Sequence, residues 1–346
     1  MQERNQKIID AVIQKAEKLC PDQLLLIGIY GSFATGDIHP RSDLDLLILV
    51  KDEAGRQLGR AFILEDADIG YDIYCTTWAM LEADARCDHA QLGKLMDSQL
   101  VYVKDPDALP RLEALRAQAT ALLASPLRRE KARAQLDRAM TVYAECCLAD
   151  SLSFCRRYAG AAVHCLLEAL MLFHGRYFRL GVKRAFQELA QLPLPFNIQA
   201  LVMSLLRAET AEDVRRALTT LLRAVRVHLS LPPEKAPPTS ENLTGTYEEM
   251  VSNWRGKMRE AAENGDLFSS FMNLLSFQFM LQDISECVDI PPEDAMADFD
   301  PQDLTGNAAR FDAALSRYLE NYRRAGMQAR RYACIDDWVA AYLQAD

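Results

Sequence analysis

A glycine-serine pair, Gly31-Ser32, is followed after ten residues by Asp43-Leu44-Asp45, and both motifs lie between strongly apolar runs. From Leu24 to Val50 the chain passes through an apolar run, a Gly/Ser break, a polar loop and a second apolar run. That order predicts strand, turn, short helix, loop and strand. Gly31 allows close backbone approach to a ligand, and Ser32 presents a hydroxyl and an amide at a helix start, where anions are held. Asp43 and Asp45 are two residues apart, so on a strand both carboxylates leave from one face while Leu44, Leu46 and Ile48 leave from the other. Adjacent acids repel, and a divalent cation between them relieves the repulsion. Hard oxygen ligands in small number suit Mg²⁺ shared with the phosphates of a substrate. A further acid, Asp72, sits in the alternating run Ile69 to Cys75, which predicts a strand that lays it beside the pair. Asp66 and Asp68 precede that run and read as loop. Three acids would serve a two-ion site.

The Gly-Ser turn, the ten-residue gap, the Ser-Asp-Leu-Asp-Leu segment and the later strand acid resemble the DNA polymerase β-like nucleotidyltransferase superfamily. The likeness covers roughly the first third of the chain and is closest to the small-molecule branch that includes aminoglycoside nucleotidyltransferases. It implies an α+β fold, a mixed sheet flanked by helices and then all-α domains. It also implies that Asp43 and Asp45 bind the metal ions and that Asp72 completes the site as ligand or general base. Gly31 and Ser32 would meet the nucleotide triphosphate, with Ser42 as a lesser phosphate contact. By the same likeness the cofactors are two Mg²⁺ ions, the donor is an NTP with ATP the expected one, and the acceptor is a small molecule such as an aminoglycoside or lincosamide antibiotic.

Composition narrows the partners. The formal net charge of -10 disfavours a groove that tracks a polyanionic backbone, so a nucleic-acid substrate is not expected. The basic cluster Arg128, Arg129, Lys131 and Arg133 reads as a solvated helix face. Nine cysteines occur with no C-x-x-C pair and no zinc spacing, which fits a reducing compartment. The N-terminus lacks the apolar stretch of a signal peptide and no run is long enough to span a membrane. A cytoplasmic protein without membrane attachment is expected.

Helical spacing of Ile8, Ile9, Val12, Ile13, Ala16 and Leu19 predicts a first helix that Pro21 stops. The run 105–110, Asp-Pro-Asp-Ala-Leu-Pro, closes the first unit, and beyond it helical patterns take over. The expected division is a nucleotidyltransferase domain at 1–107, a helical bundle at 108–231 covering the active site, a Pro-rich linker at 232–246 and a C-terminal helical domain at 247–346. On the bundle, Lys183 or Arg179 would neutralise triphosphate charge, and Glu145 or Glu168 would serve as general base on the acceptor. The apolar stretch from Phe268 to Leu281 reads as a core helix, with an acceptor pocket or dimer face as the alternative.

Other functions stay open at this level. Minimal nucleotidyltransferases can modify a toxin partner in toxin–antitoxin-like systems, although the two extra helical units count against protein nucleotidylation here. A module that binds Mg·NTP without turnover would not need three acids. Arg157 and His164, seven positions apart on a helical pattern, offer a loose match to helical ribonucleases. No residue pattern specifies the oligomeric state.

Overall fold

A computed structural model describes residues 3–39, 42–66, 68–230 and 235–344. Residues 232–234, the start of the expected linker, lie outside the described residues. The chain divides into two compact units, Met1–Leu231 and Pro232–Asp346.

The first unit begins with α1 (Glu3–Leu19), whose buried face carries Ile9, Val12 and Ala16. Strand β1 (Leu24–Ile29) leads into the short helix α2 (Gly31–Thr35), and β2 (Leu46–Val50) follows the polar loop. Every residue of β1 and β2 is buried, as continuous apolar runs require of strands covered on both faces. A 3-10 helix (Glu53–Leu58), capped by the Asp52 carboxylate on the Ala54 N–H, leads to β3 (Arg60–Leu64) and β4 (Ile69–Ile73). These two strands form a separate antiparallel hairpin, Arg60 opposite Ile73 and Leu64 opposite Ile69. Then come β5 (Cys75–Thr77), α3 (Trp78–Ala85), α4 (Gly93–Met96) and β6 (Gln99–Val103). The main sheet has the order β5-β2-β1-β6, with β1 antiparallel to β2 and β6 and β2 parallel to β5.

Alternation along β2 separates two cores. Leu46, Ile48 and Val50 pack with Ile9, Val12, Ala16, Tyr71 and Ile73 on the α1 side. Leu47 and Leu49 face the opposite way, onto Leu81, Leu92, Leu95 and Leu112. That second core continues into the helices α5 (Ala108–Ala124), α6 (Leu127–Leu148), α7 (Leu152–Phe173), α8 (Ala185–Leu189), α9 (Ile198–Leu206) and α10 (Ala211–Leu229), through Leu136, Leu166, Leu170 and Val225. Ser151 and Thr210 cap α7 and α10. Residues 1–107 and 108–231 therefore share one apolar interior, and the helices form a fixed wall beside the sheet. This is the α+β architecture expected from the sequence, a mixed sheet with helices followed by a long helical region.

The second unit contains α11 (Ser240–Leu243), α12 (Thr246–Met250), α13 (Gly256–Asn264), α14 (Leu267–Cys287), α15 (Leu304–Arg324) and α16 (Ile335–Gln344) around Tyr247, Met250, Leu274, Phe277, Phe311 and Tyr322. A π turn at Val251–Arg255 lies between α12 and α13. In the Phe/Met-rich stretch, Leu274, Phe277 and Leu281 are core, whereas Phe268 is 74% and Phe279 56% exposed. Among the described residues no helix is long and apolar enough to cross a membrane.

Candidate active site

The Gly31-Ser32 turn and the acid pair meet directly. Gly31 has φ +66°, and a Cβ there would fall 2.0 Å from Asp45 Oδ2, so only glycine leaves room for the carboxylate. The Asp45 carboxylate accepts the Ser32 backbone N–H, and its carbonyl accepts the Tyr30 N–H at 3.1 Å. Asp43 and Asp45 lie just ahead of β2 instead of on it, because the ladder begins at Leu46. Their alternation with buried Leu44 is kept, and both line a cleft of about 850 Å³.

Burial first, and the Asp43 charge second, push the Asp45 carboxyl up to about 6, against the lowering effect of the Ser32 N–H. Such a pair carries uncompensated negative charge. Tyr30 adds a phenol beside it: its OH lies 2.8 Å from the Tyr74 OH, and burial, that hydrogen bond and the two carboxylates hold its pKa far above the ordinary value. Tyr30 is therefore a neutral hydrogen-bonding group in the cleft.

The opposite wall is the segment after α7. Phe178 N–H donates to Ala90 O at 2.8 Å, and the Glu188 carboxylate accepts the N–H groups of Arg179 and Leu180 at 2.9 and 3.1 Å. Arg184 grips Asp37 through two hydrogen bonds of 2.9 and 2.7 Å, and Lys183 stands 3.7 Å from the same carboxylate. The Arg184 bonds hold the Asp37 carboxyl below its usual range. These ties fix Lys183 in the cleft with Ser32, Asp43 and Asp45.

The expected residues thus divide. Gly31, Ser32, Ser42, Asp43, Asp45, Arg179 and Lys183 line one cleft. Ser42 also closes its own loop, its hydroxyl accepting the His39 N–H at 2.9 Å. Asp72 does not join them: it is an exposed residue of β4, opposite Ala61, and is not among the cleft's lining residues. The reason is that residues 69–73 pair with β3 and the chain joins β2 only from Cys75, so the β2/β5 ladder extends only from Ile48 to Val50. Among the described residues no group of three or more His, Cys, Asp or Glu is arranged to hold a metal. Glu145 is exposed on α6, and Glu168 is 2% exposed with His164 3.4 Å away, so neither general-base candidate reaches the cleft. Sequence reading missed Tyr30, Asp37, Tyr74, Asp84, His89 and Lys94, all of which line it. They share no motif, and Asp37 meets Arg184 across 147 residues.

Comparison with known families bears on this cleft. Residues 7–89 match the nucleotidyltransferase domain. The match runs from α1 past α3 and includes the Gly31-Ser32 turn and the Asp43/Asp45 pair. No curated protein matches the chain. Among solved structures, a nucleotidyltransferase-like protein from Exiguobacterium sibiricum 255-15 is similar at 14% identity and TM-score 0.33, over 79% of this chain and 87% of that one. The matched segment supplies the acid pair and the turn, and the helical region of the same unit supplies Lys183.

The donor set fits a divalent cation in one respect. Two hard carboxylates with unmatched charge, completed by phosphate oxygens, are what Mg²⁺ takes in phosphate-transfer sites. Among the described residues no third carboxylate joins the pair as a ligand for the second ion expected from the sequence, since Asp72 lies outside the cleft and Asp37 is tied to Arg184.

Proposed function

We propose that this cleft transfers a nucleoside monophosphate from an NTP to a hydroxyl of a small-molecule acceptor. The observation that carries this reading is the Asp43/Asp45 pair seated on the Gly31-Ser32 turn and faced by Lys183. A divalent cation such as Mg²⁺, held by Asp43 and Asp45, would supply positive charge at the reacting phosphate. Lys183 meets the triphosphate and offsets the charge that gathers on the leaving group. The acceptor oxygen forms a bond to the α-phosphorus, the bond from that phosphorus to the bridging oxygen breaks, and pyrophosphate leaves with the electron pair. The acceptor proton passes to water in the open cleft. The protein forms no covalent bond; its part is to orient the two substrates and to match charge.

The Arg184–Asp37 tie joins the loop after α2 to the helical wall, so the acid pair and Lys183 are held in one frame. The test is transfer from α-labelled NTPs, ATP first, in the presence of Mg²⁺ and a panel of hydroxyl compounds. Label on a small molecule with wild type, and a loss of at least about 10³-fold in Asp43→Asn and Asp45→Asn, is expected. Full activity in a folded Asp45→Asn variant would overturn the assignment.

A further inference from the structure

The cleft holds a further cationic group besides Lys183 and Arg179. Lys94, on α4, lies 3.5 Å from Asp84 Oδ2 and 5.8 Å from the centre of the Tyr74 ring. Its side chain is 15% exposed and its ammonium is held by that ion pair, while Asp84 Oδ2 has no hydrogen-bond partner among the described residues. The other Asp84 oxygen stands 3.4 Å from His89 Nε2, while His89 Nδ1 accepts the Gln91 N–H at 3.2 Å. Asp84 is itself 9% exposed, and its contact raises the pKa of His89. A single buried carboxylate is thus divided between an imidazole and an ammonium, and the ammonium keeps N–H donors for a further acceptor.

The rest of the lining has no use for Lys94. Asp37 is claimed by Arg184 and Lys183, which leaves Asp43 and Asp45 for the ion. Of the lining carboxylates only Asp84 remains, and it is shared between His89 and Lys94, so none is left unpaired for a positively charged acceptor. A half-buried ammonium with N–H donors to spare draws an oxyanion. Through Tyr74, whose hydroxyl meets Tyr30, this group borders the acid pair, where an acceptor must sit.

We infer that Lys94, positioned by Asp84, binds a phosphate group on the acceptor, so that the acceptor is a phosphorylated hydroxyl compound and not the polycationic antibiotic suggested by sequence resemblance. The inference rests on the transferase reading. Lys183 serves the phosphate tail of the donor and Lys94 serves the acceptor.

The experiment is calorimetric binding of inorganic phosphate to the full chain with Mg²⁺ and a non-hydrolysable ATP analogue already bound, followed by transfer assays with glucose 6-phosphate, glucose and kanamycin. Phosphate should bind to wild type, at least tenfold more weakly to Lys94→Ala, and near normally to Lys94→Arg, with the analogue bound equally by all three. In transfer, glucose 6-phosphate should exceed glucose in kcat/KM by at least tenfold, and Lys94→Ala should erase that preference. Phosphate binding unchanged by Lys94→Ala, no phosphate binding beside a bound analogue, or labelling of kanamycin in preference would overturn the inference while leaving the transferase reading intact. Failure of the analogue itself to bind would overturn both.

Discussion

Asp45→Asn should make the metal-free protein more stable while abolishing its activity. The ionised Asp45 carboxylate is penalised in the fold because it is largely buried and lies beside Asp43, which together move its pKa from 3.8 to about 6. That displacement corresponds to about 3 kcal/mol. Partial solvent access and the retained Ser32 N–H bond to the amide oxygen reduce the gain to about 1–2 kcal/mol. The sign follows from proton binding. Between pH 3.8 and about 6 the folded protein holds a proton that the unfolded chain has released, so stability falls as pH rises through that window and the full penalty is present above it. For a unit of this size the gain corresponds to about 3–6 °C in Tm. The assay is scanning calorimetry in EDTA at pH 7.5 and pH 4.5, following the transition of the unit that contains the site. Asp45→Asn should melt higher than wild type at pH 7.5, and the difference should shrink to about a third at pH 4.5. Added Mg²⁺ should raise the wild-type Tm at pH 7.5 and leave the variant unmoved. A variant that melts at or below wild type at pH 7.5, or an equal difference at both pH values, would refute the account of Asp45 as a charge held for a cation.

Gly31→Ala should displace the Asp45 carboxylate, because its Cβ would fall 2.0 Å from Oδ2. Mn²⁺ binding should weaken at least tenfold, whereas Gly36→Ala, with open space around it and φ +76°, should cost only about 1 kcal/mol and leave Mn²⁺ binding near normal. Asp72→Asn should lower transfer less than tenfold, since its carboxylate lies outside the cleft; a loss as deep as that of Asp45→Asn would show that β4 closes onto the acid pair when nucleotide binds. His174 and His228 meet at 2.9 Å between ring nitrogens, and burial lowers both pKa values. Stability should therefore be full above pH 6.5 and fall as pH drops below it, where the unfolded chain takes protons first. Thermal melts between pH 7.5 and 5 should show that fall, and His228→Phe should reduce it.

The sequence by itself determined the strands around the candidate site and the pairing of the Gly31-Ser32 turn with Asp43 and Asp45. The apolar runs of β1 and β2 and the Gly31-Ser32 break between them predict strand, turn and strand, as found, whereas the collision that a Cβ at Gly31 would make with the Asp45 carboxylate is seen only in the structure. Strands and turns are local: they depend on residues a few positions apart, so spacing reveals them. The long helices were legible for the same reason, apart from the π turn at Val251–Arg255. Only the tertiary structure decided which charged residues share the cleft. Asp72 has the alternation of a sheet residue, yet the turn of β4 toward β3 takes it away, and no periodicity records which neighbour a strand chooses. Asp37 with Arg184, and Asp84 with His89 and Lys94, are brought together by the packing of helices against one face of the sheet. Charged side chains on helices look alike in sequence whether solvated or enclosed. The shared core around Leu47, Leu49, Leu112 and Leu166 is what encloses these and gives them chemistry.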